Sequence, residues 1–99
     1  MNSTTAALFL ALSDETRLNV LEVLARRPQT SVEDIVTALH QPRPTISYAL
    51  QVLRRAGIVD FYEVPCAGRG VRHEYYIVPE SMETLAETTK ALSPQHAVA

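Results

Sequence analysis

The chain has 99 residues, 46% of them hydrophobic and 20% charged, with a formal net charge of −2. That length fits one globular domain over residues 1–99 with a modest core, and the composition excludes a disordered or fibrous chain. A single cysteine, Cys66, excludes an internal disulfide; the apolar run Ala6 to Leu12 is too short to span a membrane and lacks the basic flank of a secretory signal, so the expected location is the cytoplasm.

Residues 3–12 read as a first helix, apolar nearly all round through Ala6, Leu8, Phe9, Leu10 and Leu12. Such a helix is covered on several sides, either in the core or against a second chain, and the two are compatible. Ser13 or Asp14 caps a second helix reaching about Arg26, with Glu15 near its positive end. Its expected buried face is Leu18, Leu21, Val23, Leu24 and Ala25, and Pro28 stops it. Ser31 caps a third helix, and Asp34 three residues on completes a pattern like a capping box. Val32, Ile35, Val36 and Leu39 recur on one face of that helix.

His40 to Pro42 is a turn, after which a fourth helix starts near Arg43 and buries Ile46, Ala49, Leu50 and Leu53; Gly57 is its left-handed stop. Two helices separated by a tight break, the second opening with polar residues and closing on two arginines, have the layout of a helix-turn-helix. Residues 58–64 and 72–78 are β-rich and flank the loop P-C-A-G-R-G-V, which predicts a hairpin. After Pro79 a last helix runs to about Leu92 with Met82, Leu85, Ala86, Thr89 and Leu92 on one side, and residues 93–99 are expected to fray. The predicted fold is therefore mainly α with a β-hairpin wing, a winged helix-turn-helix in the order α-α-α-α-β-β-α, dimerising through residues 3–12 and 80–92.

Charge is unevenly placed along this order. Residues 1–39 carry three arginines against five acids, a net −2; residues 40–72 carry Arg43, Arg54, Arg55, Arg69 and Arg72 against Asp60 and Glu63, a net +3; residues 73–99 carry Lys90 against four glutamates, a net −3. The positive charge gathers on the helix-turn-helix and hairpin, where a phosphate surface would feel it.

The segment A-L-S-D-E-T-R-L-N-V-L-E-V-L resembles the opening of the ArsR (arsenical-resistance repressor) family. P-T-I-S-Y-A-L-Q-V-L-R-R-A-G-I-V resembles that family's recognition helix and first wing strand, and the arginine-containing turn followed by H-E-Y-Y-I-V resembles its wing. The likeness covers roughly residues 5–92. It implies a homodimeric bacterial repressor that leaves operator DNA when an inducer, often a metal ion, binds. The chain departs from the family in four places. The third helix reads S-V-E-D-I where an arsenic-type site has a C-x-C pair. The last helix carries Glu80, Glu83 and Glu87 but no aspartate–histidine pair of the zinc type. Ala49 stands where a histidine is common, and Pro42 where a capping serine is usual.

The candidate DNA-binding residues are Arg43, Thr45, Ser47, Tyr48 and Gln51 on the outward side of the fourth helix, Arg54 and Arg55 at its end, and Arg69 and Arg72 in the wing. Arginine can pair with guanine O6 and N7, glutamine with adenine, and threonine or serine with phosphate or base edges. The competing reading of the same residues is a solvated polar face, and for Arg54 and Arg55 a complement to the helix dipole. The available soft or borderline metal ligands are His40, Cys66, His73 and His96, no two spaced to meet on one helix; a zinc or nickel effector needs two or more to converge. Cys66 is either inert or a redox-sensitive thiol. The leading functional expectation is a dimeric repressor of a palindromic operator, released by a metal ion, redox change or other effector. A winged-helix protein-interaction module without DNA binding is the alternative. No nucleophile elbow, carboxylate pair or phosphate loop supports an enzyme.

Overall fold

The computed structural model describes residues 3–68 and 70–92. The elements in chain order are α1 (Ser3–Ala11), α2 (Glu15–Arg26), β1 (Thr30–Ser31), α3 (Val32–Leu39), α4 (Arg43–Arg55), β2 (Val59–Pro65), β3 (Val71–Ile77) and α5 (Pro79–Leu92).

The junction between α1 and α2 explains the S-D-E-T-R-L run. Asp14 is the N-cap of α2 and its carboxylate accepts from the Arg17 amide at 3.0 Å. The Arg17 Nε then donates back to the Ala11 carbonyl at 2.5 Å, and Ser13 Oγ donates to the Leu10 carbonyl at 2.6 Å. The last turn of α1, whose carbonyls have no intrahelical partner, is thus tied to the first turn of α2.

Four residues of α2 are buried: Val20, Leu21, Val23 and Leu24. Leu18, 44% exposed, and Ala25 differ from the expected buried face. At 100° per residue the inward stripe is centred near Val20 and Leu24, and Leu18 and Ala25 fall outside it, towards the opposite face. Leu18 is apolar, but its angle on the helix turns it to solvent.

Ser31 caps α3 as predicted, its hydroxyl accepting from the Asp34 amide at 3.2 Å. Thr30 and Ser31 also pair with Tyr75 and Glu74, so the hairpin gains a third strand and the sheet order is β1-β3-β2. The predicted element order lacked this strand, because two residues are too few to show a period of two.

The turn between α3 and α4 rests on His40, the C-cap of α3, at φ 54° and ψ 40°. Histidine tolerates this left-handed conformation better than most residues, at some cost. Pro42 precedes α4 and gives it no side-chain cap.

At its other end, α4 closes on Ala56 and Gly57. The Gly57 amide donates to the Arg54 carbonyl and the Ile58 amide to the Leu53 carbonyl, both at 2.9 Å, and Leu53 and Ile58 are both fully buried. This is a Schellman closure, and it requires the Gly57 φ of +80°. A Cβ at Gly57 meets nothing within 4 Å, so Gly57→Ala carries only backbone strain. Urea unfolding is expected to show a loss of about 1–2 kcal/mol.

The core lies where α2, α3 and α4 meet the sheet. Val20, Leu24, Ile35, Ile46, Leu50, Leu53, Ile58 and Val59 fill it. Leu8 and Ala11 of α1 and Leu85 of α5 join it, with Phe9, Leu12 and Met82 half-covered. The outer sides of the terminal helices are bare: Leu10 is 71% and Leu92 65% exposed, and Ala86 and Thr89 are exposed with them. One chain therefore covers α1 on one side only, short of the all-round covering its apolar sequence suggests.

Candidate nucleic-acid interface

Burial of Ile46, Ala49, Leu50 and Leu53 fixes the rotation of α4, and that rotation turns Arg43, Thr45, Ser47, Tyr48, Gln51, Arg54 and Arg55 to the surface. They do not form one cluster. Ser47, Gln51, Arg54 and Arg55 line a cleft of about 760 Å³ whose other wall is the sheet, through Phe61, His73 and Tyr75. Arg43 lines a second cleft of about 430 Å³ with Glu33, Cys66, Arg72 and His73, between α3, the start of α4 and the wing. Tyr48, 63% exposed, lies on the other flank, where it borders a groove with Ala7, Leu10 and Ala11 of α1. Thr45 is exposed in the first turn of α4, its amide bonded to the Pro42 carbonyl at 3.0 Å.

The wing is held in register by pairs from Val59↔Ile77 to Pro65↔Val71, and the Cys66 amide closes its tip on the Gly70 carbonyl at 2.8 Å. Arg69 lies outside the described residues, as does His96. One face of the hairpin carries an aromatic stack: His73 lies on Phe61 at 3.9 Å with 13° between rings, and Tyr75 meets Phe61 edge-on at 5.4 Å. The other face carries Tyr62 stacked on Tyr76 at 4.7 Å.

Three of the candidate arginines have carboxylate partners within the chain. Arg54 Nε donates to Asp60 Oδ1 at 3.0 Å while its guanidinium sits 4.5 Å over the Phe61 ring. Arg72 donates to Glu74 at 2.7 Å. Arg43 Nη1 donates to Glu33 Oε2 across the helix-turn-helix. These partners went unread in the sequence. Glu33 and Arg43 are ten residues apart, and only the crossing of α3 and α4 brings them together. The Arg43–Glu33 pair is more than half exposed on both sides, so it is worth about 0–1 kcal/mol. A bidentate arginine–guanine contact is worth about 1–3 kcal/mol. Arg55 has no ion pair among the described residues.

Asp60 is the joint between recognition helix and wing. It accepts from Arg54 and from the Phe61 amide at 2.9 Å, and these hydrogen bonds hold its carboxyl below the ordinary value of 3.8. A carboxyl lowered in the fold contributes stability that is present above its unfolded value and lost as pH falls through the lower folded one. Melting curves from pH 5 to 3 are therefore expected to show an acid loss that is smaller in Asp60→Asn.

Of the metal candidates, His40 is an exposed turn residue and His73 is packed in the aromatic stack, while Cys66 and His73 border the same cleft. Among the described residues no group of three His, Cys, Asp or Glu side chains is placed to hold a metal ion. No helix among them is long and apolar enough to cross a membrane.

A helix-turn-helix whose second helix presents a polar face beside a hairpin wing defines a winged helix-turn-helix domain. The family description "Bacterial regulatory protein, arsR family" matches residues 14–60. An uncharacterized HTH-type transcriptional regulator of Methanocaldococcus jannaschii is 34% identical over 87 residues, covering 88% of this chain and 92% of that protein. The arsenical resistance operon repressor of Escherichia coli is 42% identical over 52 residues, 52% of this chain and 44% of that protein. Among solved structures, an ArsR-like transcriptional regulator from Rhodococcus sp. RHA1 superposes with a TM-score of 0.76 at 29% identity, over 96% of this chain and 84% of that one. The homodimeric winged helix-turn-helix DNA-binding domain of a possible ArsR-family regulator from Mycobacterium bovis superposes at 0.71 and 26% identity, over 92% and 80%. The chain belongs to the ArsR family of transcriptional regulators; it is a DNA-binding regulator and not an enzyme.

Proposed function

We propose that two copies of this chain form a repressor that binds a palindromic operator, with α4 in the major groove and the wing on the flanking backbone. The observation that carries this reading is that two clefts meet at His73, which lines both: Ser47, Gln51, Arg54 and Arg55 of α4 share one with the sheet, and Arg43 shares the other with Arg72. The base-reading residues are Arg43, Thr45, Ser47 and Gln51; Arg54, Arg55 and the wing arginines Arg69 and Arg72 neutralise phosphates, and Tyr48 flanks the groove.

The bare outer sides of α1 and α5, with Leu10 and Leu92 exposed, favour a second copy as their cover, and the Mycobacterium bovis relative is described as homodimeric. A two-fold dimer sets its recognition helices about 34–36 Å apart, one turn of DNA. An effector seated between the protomers changes that spacing and lowers operator affinity, and operator lowers effector affinity by the same factor.

Selection of a tight duplex from a random pool, followed by hydroxyl-radical footprinting, tests this. The expected pattern is two symmetric protected half-sites about 10 bp apart, centre to centre. A single unsymmetric protected site would count against the dimer, and no selected duplex would leave the winged-helix interaction module as the better reading.

A further inference from the structure

We propose that Glu33, on α3, is a specificity-determining residue: it positions Arg43 for base reading and withholds it from the DNA backbone. The inference rests on the base-reading role of Arg43 given above. The contact uses one guanidinium nitrogen only, Nη1, bound to Glu33 Oε2. The Nε–Nη2 edge has no partner among the described residues, and that edge is a two-donor fork of the kind that pairs with guanine O6 and N7. Glu33 and Arg43 therefore stay paired while Arg43 reads a base.

The backbone that carries this carboxylate is fixed. Glu33 lies in the first turn of α3, behind the Ser31 cap, and its carbonyl accepts from Thr37 Oγ1 at 3.0 Å. Arg43 is the first residue of α4, the end of a recognition helix that meets base edges. An arginine here without an acid has a second use open to it, a phosphate contact that every sequence offers. Glu33 opposes that use twice: it occupies Nη1, and it places a negative charge where a phosphate would approach. It also lowers the ordering cost of the long Arg43 side chain on a matching base. The two other paired arginines differ. Arg54 is also fixed against the Phe61 ring, and Arg72 lies on a strand.

Glu33→Gln keeps the shape and removes the charge. Its affinity for a random-sequence duplex is expected to rise up to about eightfold per protomer at roughly 0.1 M salt, the value of one added phosphate contact, with the salt slope steeper by about 0.9 for each. Its affinity for the selected duplex is expected to fall about 2–5-fold per half-site as the arginine loses its orientation, and base preference should relax at one position per half-site. Opposite movements separate this role from simple charge repulsion. Glu63→Gln, an exposed wing carboxylate with no ion pair among the described residues, serves as the control and should raise both affinities together. In an Arg43→Ala background, Glu33→Gln should behave like that control, and an unchanged melting temperature excludes a loss of fold.

If Glu33→Gln moves both duplexes in parallel, or neither, the inference is overturned while the reading of Arg43 stands. If Arg43→Ala itself leaves base preference unchanged, both fall.

Discussion

Replacing Ile46 by alanine is expected to lower stability by about 2–5 kcal/mol, the range for removing a fully enclosed aliphatic side chain from a packed core. Ile46 is completely buried at the centre of the inward face of α4. Its loss opens a void where α4 meets the core, and little can collapse into it because Ile35, Leu50 and Leu53 are already enclosed. For a chain of this length the melting temperature should drop by roughly 10–30 °C. Tyr48→Ala, two residues on and mostly exposed, should stay within about 0.5 kcal/mol. Urea unfolding of the pair checks the rotation of α4 directly. Equal losses would mean that α4 is turned differently, and the assignment of its outward residues would go with it.

Arg43→Ala is the largest expected effect on recognition. If its Nε–Nη2 edge pairs with one guanine per half-site, truncation costs about 1–3 kcal/mol per contact, or about 5- to 150-fold in affinity for each half-site. The loss should be sequence-dependent: the variant should discriminate less at one base position of each half-site and keep its affinity for mismatched duplex. Truncating Arg55, which has no ion pair among the described residues, should instead weaken all duplexes alike and shallow the salt dependence by about 0.9 per contact. Competition binding against single-base variants of the selected duplex distinguishes the two. A uniform loss in Arg43→Ala would reassign it to the backbone.

Much of this architecture was legible in local chemistry. Asp14 and Ser31 announce helix starts because a short oxygen-bearing side chain can satisfy an orphan amide, and Gly57 announces a stop because its φ excludes most other residues. The spacing of Ile46, Ala49, Leu50 and Leu53 gave the buried face of α4, and with it the exposed one. What local chemistry does not contain is distance across the fold. The pairing of Thr30 and Ser31 with β3, the reach of Glu33 to Arg43 and the closure of Asp60 on Arg54 all depend on angles between elements. The stack of Phe61 on His73 depends on hairpin register, which the length of the Cys66–Gly70 loop sets. The candidate site was therefore readable as a set of exposed cations, and unreadable in how those cations are held. Three of them are already paired with acids within the chain.

The central claim, that α4 and the wing together bind duplex DNA, is tested most directly by measuring affinity for the selected duplex across salt concentrations by fluorescence anisotropy. The account predicts a straight line of log K against log salt, with a negative slope of about 0.9 for each phosphate neutralised, and a shallower line when Arg54 and Arg55 are both replaced by alanine. A flat line, or no binding at about 50 mM salt, would contradict it.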